Sequence, residues 1–156
     1  MKKHHLQVAL TIVLAITLVI ATLVLVDVNE ERKFLRFNVD TRCYSEFSSF
    51  CQGCRVKWDE MDEEARTQQK EENQRHLYTA LQLYGFSSYL EDENFGSLLH
   101  YLWKLSIKGE LYEIMDDDMA DQLNALYPHL GKEEGSALAK DAYDRLVGLA
   151  ALKGQE

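Results

Sequence analysis

Proline occurs once, at Pro128, and no glycine/serine run, low-complexity segment or internal repeat breaks the chain. Nothing therefore marks a flexible linker or a repeat architecture. Strand signals are also few: "KFLRFNVD" alternates weakly around Phe34 to Val39, and no neighbouring run offers a hairpin partner. Catalytic signatures are missing. There is no G-x-S-x-G, phosphate-binding loop or dinucleotide fingerprint, and His76, His100 and His129 show no H-x-x-x-H or H-E-x-x-H spacing. The composition calls for no cofactor and no metal, and it reads as that of a non-enzyme.

Charge is absent from one long stretch. "LQVALTIVLAITLVIATLVLV", Leu6 to Val26, holds neither charge nor Gly nor Pro and is interrupted only by Gln7 and three threonines. As a helix its 21 residues span roughly 31 Å, the thickness of a bilayer hydrocarbon core. The run exceeds a cleavable signal core, and "VLVDVNE" at its end lacks the small residues of a cleavage site. An uncleaved signal anchor in the inner membrane is expected. "MKKHH" ahead of the run gives the signal-anchor layout, N-terminus in the cytoplasm and C-terminal domain outside. Arg32, Lys33, Arg36 and Arg42 on the other flank pull against that orientation. Thr11, Ala15, Leu18 and Thr22 fall at i, i+4, i+7 and i+11, a small-residue stripe where a second membrane helix would pack.

The remainder, from Asp27 onward, carries all 26 acidic residues against 15 of the 17 basic ones. A surplus of that size repels phosphate backbones and anionic headgroups, which argues against nucleic acid as a partner. Its apolar periodicity is helical. Cys43, Phe47, Phe50, Cys51, Cys54, Trp58, Met61 and Ala65 follow steps of three or four, and the same helix is expected to continue through the polar "DEEARTQQKEENQRH" with Asp62–Arg66 and Glu71–Arg75 pairs. "LYTALQLY" ends at Gly85, Ser97 is expected to cap "LLHYLWKLSI", and Gly109 to close it. Leu111, Met115, Met119, Leu123 and Leu126 form a further stripe ended by Pro128. A last helix starting near Ser136 turns Leu138, Ala142, Tyr143, Leu146, Val147 and Ala150 inward. The expected fold is all-α: a basic tail over 1–5, one transmembrane helix over 6–26, a juxtamembrane segment over 27–42, and an acidic bundle of four to five helices over 43–156.

Cysteine is scarce, with three residues, all in that first stripe. "CQGC" lacks the preceding strand and surrounding βαβ unit of a thioredoxin-type centre. A zinc site would need His76 as a distant fourth ligand. Outside the cytoplasm a disulfide among Cys43, Cys51 and Cys54 is expected, the odd thiol being free to link two copies. The acidic "EIMDDDMAD" does not match a calcium loop. At helical spacing Glu113, Asp117 and Asp121 form an outward ridge: a solvated face, or a docking surface for a basic partner.

The leading expectation is an accessory, regulatory or assembly subunit that binds another membrane or envelope protein, or a second copy of itself. A membrane-held exclusion or immunity protein against conjugation, phage or toxin fits the same features. A membrane-tethered thiol oxidoreductase using Cys51 and Cys54 is the enzymatic alternative.

Overall fold

The computed structural model describes the backbone of residues 2–154 and the side chains of residues 13–154. It is all-helical, with no strand among the described residues. Six α-helices follow in order: α1 (Lys2–Cys54), α2 (Glu63–Tyr84), α3 (Glu93–Ile107), α4 (Leu111–Ile114), α5 (Asp117–Leu126) and α6 (Glu133–Lys153). The chain divides into two compact units, Met1–Phe37 and Asn38–Glu156. The helical domain therefore begins at Asn38, and the C-terminal part of α1 is its first helix.

The first unit is formed by the N-terminal part of α1, apolar as far as Val26 and charged beyond it. Among the described residues α1 is long and apolar enough to cross a membrane, and none of its most apolar stretch is buried within the protein. Val13, Leu14, Ile16, Leu18, Val19, Ile20 and Leu23 are each more than half exposed. Contiguous apolar surface on that scale is foreign to a water-facing helix. The segment after it, including "KFLRFNVD", continues as helix.

In the second unit the stripe of α1 forms the centre of the core. Cys43, Phe47, Phe50 and Cys51 are wholly buried, together with Phe95, Leu98, Leu99 and Leu102 of α3. Phe47 meets Phe95 edge to face at 5.1 Å, and Tyr84 and Tyr89 meet the same ring at 5.8 and 6.0 Å. Helix α3 packs on α2, α4 and α6, and α5 packs on α6.

Helix boundaries depart from the periodic reading at four places, the first three because an aspartate caps the next helix. First, α1 stops at Cys54, so Trp58 and Met61 leave its stripe. A single 3-10 turn (Trp58–Glu60) follows, and Asp62 starts α2 by accepting the Ala65 N–H at 2.8 Å. Asp62 is thus a cap rather than a partner of Arg66, whose Nε donates to the Trp58 carbonyl at 2.8 Å. Gly53 permits the reversal, since a Cβ there would overlap the Asn73 side chain of α2. Second, α3 is capped by Asp92, which accepts from Phe95 N–H at 3.1 Å, and Ser97 lies inside the helix. Its end is as expected: Gly109, at φ +76°, lets its own N–H reach Ser106 and that of Glu110 reach Leu105, both at 3.0 Å. Third, the stripe from Leu111 to Leu126 is two helices, because Asp116 caps α5 by accepting Met119 N–H at 2.7 Å. Fourth, α6 begins at Glu133 and leaves Val147 exposed rather than inward.

Candidate functional site

Helix α3 is apolar on the face it buries and polar on one line of its outer face. Glu93, Ser97, His100 and Lys104 stand at i, i+4, i+7 and i+11, which aligns them along one side. With Tyr84 of α2, Gly96 and Tyr101 of α3 and Tyr143 of α6 they line an open groove of about 570 Å³. His100, which sequence alone places in the most apolar helix, is exposed here. Sequence reasoning passed over Glu93, Ser97, Lys104 and Tyr143 as a set. The legible signal was the helical spacing of hydrophilic residues through "ENFGSLLHYLWK".

Each wall has an identifiable support. Gly96 lets the Tyr84 ring lie close against α3, since a Cβ there would overlap its hydroxyl and ring and force Tyr84 to shift. That hydroxyl lies 3.2 Å from the carbonyls of Leu90 and Asp92, to which it donates. Burial raises the Tyr84 pKa, and the nearby carboxylates of Asp92 and Glu93 raise it further. Tyr101 and Tyr143 meet at 5.3 Å with planes 64° apart, and the Lys104 ammonium sits 5.9 Å from the Tyr101 ring centre. The Tyr101 pKa is raised by burial first, then by Tyr143 and Glu110. Both phenols therefore remain neutral donors at physiological pH. Glu93 and Lys104 are set about 16 Å apart along the helix axis, eleven residues at 1.5 Å each. The groove thus offers a negative end, an aromatic and hydroxyl-bearing middle, and a positive end.

The cysteines form a second cluster, and their state corrects the expected staple. All three are free thiols inside the core. The position of Cys43 in α1 explains its isolation: residues eight and eleven apart along a helix are separated by about 12 and 16 Å, whereas bonded cysteines need Cα atoms within about 7 Å. Cys43 therefore reaches neither Cys51 nor Cys54, and the three cannot share one zinc ion with His76. Cys43 instead donates to the Ala80 carbonyl at 3.5 Å, and His76 Nδ1 pairs with Glu46 at 2.7 Å. Burial, with Asp40 adding to it and a hydrogen bond to Ser87 opposing, pushes the Cys43 thiol up to about 12. Burial also raises Cys51, with Cys54 adding to it, and raises Cys54. Thiols held this way are poor nucleophiles and out of reach of a second copy.

The acidic ridge is broken. Glu113 belongs to α4 and Asp117 and Asp121 to α5, so they do not continue one helical line. Glu113 is ion-paired with Lys153, and Asp121 with Arg55 at 3.0 Å. Of the small-residue stripe in α1, Ala15 and Thr22 are exposed, and the side chain of Thr11 lies outside the described residues. Thr22 Oγ1 donates to Leu18 O of its own helix at 2.8 Å, so its proton is already used. Among the described residues no three His, Cys, Asp or Glu side chains converge as a metal would require.

No family model, curated protein or solved structure matches the chain.

Proposed function

We propose that the protein is a non-enzymatic, single-pass membrane protein that serves as an accessory or regulatory subunit. Its apolar helix holds it in the bilayer, and the groove on α3 and α6 binds a segment of another protein of the same membrane. The groove is the observation that carries this reading. It is open, lined by tyrosines and framed by opposite charges, which suits a polar, charge-bearing segment of a partner rather than an enclosed small molecule. Tyrosine supplies contact area at low entropic cost, and the two terminal charges set the direction in which a partner lies.

Photo-crosslinking of the full chain in its own membranes tests this. A photoreactive residue at Ser97 is expected to give a discrete adduct that a Lys104→Glu exchange weakens at least several-fold. The same probe at Gln68, on the far polar part of α2, serves as the comparison. Equal adduct patterns from both positions, or none from Ser97, would sink the proposal.

A further inference from the structure

The fold holds its three cysteines as free thiols buried in the core. Cys43 is too far from the other two along α1, as shown above. Cys51 and Cys54 are one turn apart in the same helix, within the Cα range of a bonded pair, but their Cβ atoms stand about 5–6 Å from each other, against about 3.8 Å in a disulfide, so a bond needs the turn to tighten. Bonding them would distort the last turn of α1 at the point where Gly53 meets Asn73 and where Asn124 Nδ2 donates to the Cys51 carbonyl at 2.9 Å. The thiols instead fill the core as small apolar groups beside Phe47 and Phe50. A domain that depends on three unpaired buried thiols suits a reducing compartment, because unpaired cysteines in an oxidising one are exposed to bonding while the chain folds.

The flanking charges point the same way independently. Arg32, Lys33, Arg36 and Arg42 lie within 16 residues of the end of the apolar run, against Lys2 and Lys3 before it. Basic residues within about 15–20 residues of a span favour the cytoplasmic side, and the intervening Asp27, Glu30 and Glu31 weigh little in that balance.

From these two observations we infer that the helical domain faces the cytoplasm, the reverse of the orientation suggested by the signal-anchor layout. This rests on the reading of α1 as a membrane span. Ala137, exposed on α6, gives a clean reporter because the native thiols are buried. The full chain carrying Ala137→Cys is made in bacterial cells, the outer envelope is permeabilised, and a membrane-impermeant maleimide is added before or after the inner membrane is opened. Labelling is expected only after opening, and acid-quenched cells should yield three alkylatable thiols in the wild type without reductant. Labelling with the membrane intact, or a pair of thiols released only by reductant, would overturn the inference. Alkaline carbonate washing of the same membranes separates the two failures. A chain that washes off defeats the span itself, while a retained chain labelled from outside defeats the orientation alone.

Discussion

Two glycines of α6 stand in opposite surroundings. A Cβ at Gly135 would collide with the carbonyl of His129, a backbone atom that cannot swing aside, while one at Gly148 would meet nothing within 4 Å. Gly135→Ala is therefore expected to destabilise the domain by about 1–3 kcal/mol, the range for forcing an extra methyl into a packed site. Gly148→Ala should stabilise it by about 0.5–1 kcal/mol, because alanine loses less backbone freedom in a helix. Urea unfolding of the full chain in detergent, followed by circular dichroism, reads both. Equal effects would mean that the α6 start does not press on the turn at His129. Neither outcome is visible in the sequence, where both residues are simply glycines in a helical pattern. What separates them is a tertiary approach.

At the scale of elements, three aspartates at helix starts, Asp62, Asp92 and Asp116, decide the layout. Asp116 has two jobs: its carboxylate caps α5 and takes the Arg145 guanidinium of α6 at 3.0 and 3.1 Å. Asparagine keeps the cap and loses the ion pair; alanine loses both. Asp116→Ala is expected to cost about 1–2 kcal/mol and Asp116→Asn less than about 1 kcal/mol, since caps are worth more than half-exposed ion pairs. The same unfolding assay distinguishes them, and matching losses would show that Arg145 rather than the cap holds α5 in place. These aspartates also mark the limit of reading helices from apolar spacing. The all-α class and the buried stripes through Phe47 and Leu102 were legible because their periods are long and regular. The breaks after Cys54 and at Met115 were not, because the apolar steps continue in phase across them and only a short polar side chain at the cap ends the helix. The α3 groove was half legible: its hydrophilic line lies in the sequence, whereas Tyr84 and Tyr143 join it only through packing of α2 and α6.

For the molecule as a whole, the core thiols tie stability to pH. An unfolded cysteine ionises near its ordinary value of 9.0, whereas Cys43 holds its proton up to about 12 and burial raises Cys51 and Cys54 as well. Above pH 9 the unfolded chain thus binds fewer protons than the folded one, so stability present at neutral pH is lost as pH rises. Each thiol contributes a slope approaching about 1.4 kcal/mol per pH unit once the unfolded form is fully ionised. Tyrosine ionisation in the unfolded state adds a further loss only from about pH 10, which leaves a window in which the thiols dominate. Urea unfolding under reducing conditions between pH 8 and 10 is expected to show stability falling through the upper half of that range. Cys54→Ala should lower stability at pH 8, through the lost sulfur packing, yet flatten the fall by about a third, because one of three ionising thiols is gone. A wild-type profile that stays level would mean the cysteines titrate alike in both states. The compartment inference would then lose its premise that the fold keeps these thiols buried.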